Sequence, residues 1–278
     1  MAGNERVDGL TIAVTGGARG IGLATATLLH RRGATVVIGD LDEAEATAAA
    51  LQVGLAAAHH LDVTDAHSFA AFLDSVENDL GPVDVLVNNA GIIAVGPAVD
   101  EADAVTKQLL AVNAYGVMLG TKLAAERMLL RRRGHIINIA STSAVMPVPG
   151  IATYSATKHA VLGFTDAIRL ENRRSGVHFS AVMPNLTNTE MVDGVGHARG
   201  FKNIEPGDVA QAVLGLIKKP KPRVVVPRSL GAVVLTGRRF LPQIAYEMLE
   251  RSLGADRVFQ DDVDPDGRRG YTARTGTP

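Results

Sequence analysis

The chain has 278 residues, 46% of them hydrophobic, with 28 basic side chains against 29 acidic ones and a net charge of -1. Its length suits one large α/β domain or two small ones. The even charge, 4% aromatic content and lack of Trp argue against a general nucleic-acid binder, and the absence of Cys excludes disulfides, thiolate catalysis and Cys-ligated zinc.

The start, from Met1 to Asp8, is polar and acidic, and no apolar run approaches the ~18 residues of a spanning helix. A soluble, cytoplasmic protein is expected. Residues 10–14 read as a buried strand and 21–32 as a helix. Further strands are expected over 34–38, 55–61, 83–87, 135–140, 177–183 and 223–226. Helices fill the gaps, the longest over 102–132 and 151–174. Strands that alternate with helices imply βαβ units and a parallel sheet covered on both faces. Right-handed crossovers then favour an α/β fold with a single Rossmann-type, doubly wound domain over residues 8–227. Residues 228–278 form a C-terminal extension. An amphipathic helix is expected over 240–253, where Phe240, Leu241, Ile244, Met248, Leu249 and Leu253 recur at helical spacing. From Gly254 the polar composition predicts a weakly ordered tail.

Between the first strand and the first helix stand Thr15, Gly16, Gly17, Ala18, Arg19, Gly20, Ile21 and Gly22. Glycines there let the backbone approach a pyrophosphate, and the helix N-terminus adds unpaired N–H groups. Arg19 is placed to reach a phosphate. The spacing is G-x-x-x-G-x-G, which an ordinary strand-to-helix turn also satisfies. Asp40 closes the second strand. A carboxylate there either accepts from the ribose hydroxyls of NAD, disfavouring a 2′-phosphate, or caps the helix that begins near Asp42.

Tyr154 and Lys158 are four residues apart on a predicted helix and so share a face. An ammonium beside a phenol favours the phenolate and lowers its pKa from the usual value of ~10. Such a pair exchanges a proton with a substrate oxygen. Ser141, at the end of the fifth strand, is placed to polarise the same oxygen, with Ser143 as its rival; either also suits a turn cap.

Together these segments, with Asp62 and Val63, Asn88 to Gly91, and Asn113, resemble the short-chain dehydrogenase/reductase family of roughly 250-residue chains. The resemblance covers residues 8 to about 227 and implies roles for matching positions. Tyr154 is the acid/base; Lys158 tunes it and binds the nicotinamide ribose; Ser141 holds the substrate oxygen; Asn113 positions a water in a proton relay toward Lys158. Gly16, Arg19, Gly20, Ile21 and Gly22 take the pyrophosphate. Asp40 and Leu41 lie at the adenosine end, Asp62 and Val63 border the adenine, and Asn89, Ala90 and Gly91 pack near the ribose. Pro184, Thr187 and Thr189 lie toward the carboxamide. Asp40 implies NAD rather than NADP. No metal is implied, and the assembly expected is a homodimer or homotetramer through the two long helices. One departure is Pro184 followed by Asn185, where the family carries Pro and Gly; Asn tolerates left-handed φ.

Three further signals read as structural. His59 and His60 lack clustered metal partners. Arg131, Arg132 and Arg133 complement a helix C-terminus. Asp261 and Asp262 lack calcium-loop spacing. The candidate pocket segments, 92–95, 146–151 and 186–195, are mostly apolar, so a hydrophobic secondary alcohol or ketone is expected. The competing readings are an NADPH-dependent 3-oxoacyl-type ketoreductase and a non-catalytic nucleotide-binding protein.

Overall fold

The computed structural model describes residues 7–196, 203–231, 257–260 and 262–277. The helix expected over 240–253 lies outside these residues. Seven parallel strands form one sheet in the order 3-2-1-4-5-6-7: β1 Thr11–Thr15, β2 Thr35–Asp40, β3 Ala57–His60, β4 Val85–Asn88, β5 Gly134–Ile139, β6 Val177–Pro184 and β7 Arg223–Val226. Every strand expected from the sequence is present.

The alternation of side chains explains the layering. Ile12, Val14, Val36 and Ile38 point to one face, where Ala26 and Leu29 of α1 (Gly20–His30), Ala46 and Ala50 of α2 (Glu43–Val53) and Val209 and Val213 of α7 (Pro206–Lys218) cover them. Ala13, Val37, Leu86 and Ile136 point to the other. There they meet Phe69, Phe72 and Leu73 of α3 (Ala66–Leu80) and Leu119 and Met128 of α5 (Val117–Leu130). Strands buried on both sides need apolar residues at every position, which is why they read as runs rather than alternations.

The long helix expected over 102–132 is not continuous. It is α4 (Asp103–Leu109), a π-helical segment Leu110–Gly116 and then α5. A wide turn of this kind displaces side chains from regular helical register and is frequent at functional sites. Asn113 sits inside it. The second long helix, α6 (Ala152–Glu171), is regular.

The tail departs from expectation. Pro265–Thr275 forms a helix, α8, capped by Asp264, whose side chain accepts from the Asp266 N–H at 3.0 Å, and begun by Pro265. Composition suggested weak order, yet Val258, Phe259 and Tyr271 are buried and join Ile93, Ile151 and Val195 in one apolar cluster. A few well-placed apolar anchors outweigh a polar average.

The strand order reverses between the paired neighbours β1 and β4, so the connections that leave their C-terminal ends run to opposite sides and open a crevice. In open α/β sheets that crevice is where ligands bind. The loops leaving β1, β2, β4, β5 and β6 all open on it.

Candidate active site

One cavity of about 1040 Å³ runs along this edge. At one end it is lined by Gly16, Arg19, Gly20, Ile21, Asp40, Leu41, Asp62 and Val63; at the other by Ser141, Tyr154 and Lys158. Asn89, Ala90 and Gly91 lie between them, with Pro184, Thr187 and Thr189 on the loop after β6. Nearly every residue singled out from the sequence therefore meets the same space.

The Gly-rich turn is fixed by what surrounds it. Gly16 and Gly20 have φ of 62° and 54°, a region costly to side-chain-bearing residues. A Cβ on Gly22 would collide with the Gly16 carbonyl, and one on Gly16 would lie 2.8 Å from Ala90 Cα. The Asn89 side chain holds the turn from below, donating to the carbonyls of Thr15 and Gly16 at 3.0 and 2.9 Å. Asn88 points the opposite way, into the core, where it donates to Thr121 and Asn138. At the start of α1 no side chain caps the first-turn N–H groups. Bare N–H groups over a glycine cradle suit a pyrophosphate, and a cavity of about 1040 Å³ has room for a dinucleotide.

Two expectations resolve at the adenosine end. Asp40 is not a helix cap: Asp42 caps α2, accepting from the Glu45 N–H at 3.1 Å. The Asp40 carboxylate instead accepts from the Ala18 N–H at 3.0 Å and the Asp42 N–H at 3.3 Å, which aims it at the crevice. Arg19, expected at a phosphate, is ion-paired with Glu45, with Asp42 at 3.5 Å and with Glu190 at 3.6 Å. Three carboxylates hold one guanidinium, so this corner carries excess negative charge.

At the chemical end, Asn113 is fully buried. Its Oδ1 accepts from the Ile92 N–H at 2.8 Å, and its Nδ2 donates to the Ile92 carbonyl at 2.8 Å and to Thr157 Oγ1 at 3.3 Å. Here Asn113 clamps the loop after β4. Lys158 is buried and donates from Nζ to the Ile139 carbonyl at 3.0 Å. Burial alone lowers its pKa to about 8. Gly91 fits between the two because a Cβ there would lie 3.2 Å from Asn113 Oδ1 and 3.6 Å from Lys158 Nζ.

Tyr154 reverses its expected shift. Its ring is 5.5 Å from Lys158 Nζ, yet its pKa is raised, first by burial, with the hydrogen bond from Ser141 pulling the other way and Tyr271 adding to the rise. Desolvation of a would-be phenolate sets the direction of the shift. Between the rival serines, Ser141 is the one whose hydroxyl acts on Tyr154, and its Oγ accepts from the Ser143 N–H at 3.1 Å, so it caps a turn as well. The Asn185 departure is mild. Arg132 is the only described non-glycine residue with positive φ, so Asn185 turns without the left-handed region and accepts at Oδ1 from Thr142 Oγ1 at 3.4 Å.

This constellation has counterparts. The short chain dehydrogenase family model matches residues 10–200. The chain belongs to the short chain dehydrogenase family. Its members are oxidoreductases that act on CH–OH groups with a nicotinamide cofactor. Among its relatives, a probable oxidoreductase of Mycobacterium tuberculosis is 33% identical over 84% of the chain, which spans only 43% of that protein. A 3-alpha-(or 20-beta)-hydroxysteroid dehydrogenase of the same organism is 36% identical, covering 77% of this chain and 79% of its own. A cyclopentanol dehydrogenase of Comamonas testosteroni is 33% identical over 76% and 91%. The solved 3-ketoacyl-(acyl-carrier-protein) reductase of Brucella melitensis, complexed with NADH, superimposes with a TM-score of 0.72 at 28% identity over 80% of this chain and 99% of its own.

Sequence reasoning missed the tail. Val258, Phe259, Tyr271, Arg274 and Thr275 also line the cavity. The signal was present in the glycines. Gly150 has φ of 82° and a Cβ there would strike the Phe259 backbone; Gly194 has φ of 69° and lies against Asp264 and Arg268. Only a partner's identity was lacking. Among the described residues no His, Asp or Glu cluster could hold a metal, and no helix is long and apolar enough to cross a membrane.

Proposed function

We propose that this protein is an NAD-dependent oxidoreductase acting on an apolar secondary alcohol or ketone, with Tyr154 as its acid/base. The observation that carries the reading is one continuous cavity, with a glycine cradle and the Asp40 carboxylate at one end and Ser141, Tyr154 and Lys158 at the other. A bound nicotinamide supplies or accepts the hydride.

The residues divide the remaining work. Tyr154, raised in pKa by burial, keeps its proton at neutral pH. That is the form that donates to a ketone oxygen as the C–H bond forms; in the reverse direction the phenolate takes the proton back. Ser141 bonds the same oxygen and steadies its developing charge. Lys158 favours the phenolate when it forms and is placed to hold a ribose. Asn113 fixes the loop that carries Ile92 and takes the relay position toward Lys158.

Two features support NAD over NADP. Asp40 faces the crevice where a ribose 2′-hydroxyl would bond, and Asp42, Glu45 and Glu190 already occupy Arg19. Among the described residues, a 2′-phosphate would meet carboxylates and no uncommitted guanidinium at that corner. The apolar walls from Ile93, Met146, Val148, Ile151, Leu186 and Met191 support an uncharged substrate body. The likeness to a 3-ketoacyl-(acyl-carrier-protein) reductase favours a second reading, an NADPH-dependent reductase of acyl-type ketones. A homodimer or homotetramer through the helices of 103–130 and 152–171 is also proposed; Leu110 and Tyr115, 45% and 46% exposed, and Leu170 support it.

The test is an absorbance assay of secondary alcohols and ketones against both nicotinamide forms. Turnover of apolar substrates with NAD(H) at least ten times more efficiently than with NADP(H), abolished in Tyr154→Phe, is the expected result. An unchanged rate in Tyr154→Phe would remove Tyr154 as acid/base. A preference for NADP(H) with acyl ketones would favour the second reading.

A further inference from the structure

We infer that residues 257–260 and 262–277 form the selective wall of the substrate pocket and that Tyr271 is its specificity-determining residue, an inference that rests on the alcohol–ketone role proposed for Tyr154. The family match ends at residue 200. The wall lies beyond that point, outside the matched residues.

The wall faces the chemistry. Val258, Phe259 and Tyr271 line the cavity that holds Ser141 and Tyr154, and the Tyr154 ring packs against the cluster they form. Tyr271 is close enough that charge on its phenol raises the pKa of Tyr154. A substrate carbon within reach of Tyr154 has its remaining bulk pressed toward these three side chains.

The wall is also rigid. The Tyr271 hydroxyl accepts from the Ile93 N–H at 2.8 Å, and its ring lies under two guanidinium groups, Arg268 at 5.0 Å and Arg274 at 5.5 Å. The backbone around it is tied to the substrate loop: Asp264 N–H donates to the Gly194 carbonyl at 2.7 Å and Gly196 N–H to the Val258 carbonyl at 3.3 Å. Arg268 Nη1 donates to the carbonyls of Met191 and Asp193 at 3.3 and 3.2 Å. On the far side, Gln108 Nε2 donates to the Thr275 carbonyl at 2.9 Å and Thr277 Oγ1 to the Ile93 carbonyl at 2.9 Å. A wall held from both sides cannot swing away from a bulky substrate without breaking buried hydrogen bonds, each of which is costly to lose.

The substrate class comes from what lines this space: Val258 and Phe259 stand beside the Tyr271 ring in the cavity that holds Ser141 and Tyr154, which suits an apolar body whose bulk these side chains limit. A pocket of this kind discriminates by about tenfold or more for each small increment in substrate bulk.

The experiment is calorimetric binding of a graded ketone series, from cyclopentanone to a steroid-sized ketone, to protein saturated with whichever oxidised nucleotide it binds. Ketone with oxidised nucleotide does not turn over, so affinity is read directly. Wild type should favour the compact ketones, and Tyr271→Ala should shift the bulky-to-compact affinity ratio about tenfold or more toward the bulky ones. Phe259→Ala should shift it in the same direction and decides the matter should the first variant fail to fold. A ratio within twofold of wild type in the variants that fold overturns the wall while leaving the Tyr154 reading intact. Wild type that binds nucleotide but no ketone overturns both.

Discussion

The two ends of the cavity are built in different ways. The nucleotide end comes from strand termini within the first 91 residues: the Gly16–Gly22 turn, Asp40, Asp62 and the Asn89–Gly91 segment. Its shape is set by backbone, through positive φ at Gly16 and Gly20 and N–H groups left bare at a helix start. The substrate end is gathered from four separated stretches, at 92–95, 141–151, 185–196 and 257–277, and its shape is set by side-chain bulk. A backbone-built site tolerates few residue types and changes little; a side-chain-built site changes with each substitution.

Tyr154 is where the two ends meet, so its loss should have the largest effect. Tyr154→Phe is expected to lower kcat/KM by about a hundred- to ten-thousandfold with nucleotide affinity, read by fluorescence titration, unchanged. A parallel fall in nucleotide affinity would show that the ends are not separable. Next comes Asp40→Ala, which should change only the nucleotide end: the NAD-to-NADP ratio of kcat/KM is expected to fall about ten- to a hundredfold, with the order of preferred alcohols unaltered. A changed alcohol order would break the division.

Gly22→Ala probes the backbone rule directly. Its Cβ has no room beside the Gly16 carbonyl, so the fold should lose about 1–3 kcal/mol in denaturant melts, accompanied by loss of nucleotide binding. The pH response sharpens the chemical end. Burial lowers Lys158 to about 8, so between that pH and its ordinary 10.5 the unfolded chain binds a proton that the folded one does not. Stability contributed by this group therefore rises with pH through that window. Tyr154, raised by burial, acts in the opposite sense above its ordinary 10.0, where the unfolded phenol ionises first. Lys158→Met should flatten the rise in melting temperature between pH 8 and 10. The smallest effect is expected at Glu190→Gln, which removes partly exposed pairs with Arg19 and Arg274: under about 1 kcal/mol in stability.

How far the sequence carried the reading tracks the same divide. The sheet was legible because strands buried on both faces leave short apolar runs such as Ile12–Val14, Val36–Ile38 and Ala181–Met183. The candidate catalytic pair was legible as a pair because Tyr154 and Lys158 are local neighbours on α6. What sequence spacing could not supply was the balance of forces at Tyr154, where burial sets the direction of the shift, and the ion pairs that hold Arg19. The helix break at Asn113 was hidden because its composition reads as ordinary helix. The tail was hidden because Tyr271 and Ile93 meet across 178 residues, and no local pattern announces a contact of that range.

Thr277 is fully buried, and its hydroxyl holds the Ile93 carbonyl. A bulky group joined directly beyond it would disturb this buried tie to the loop after β4.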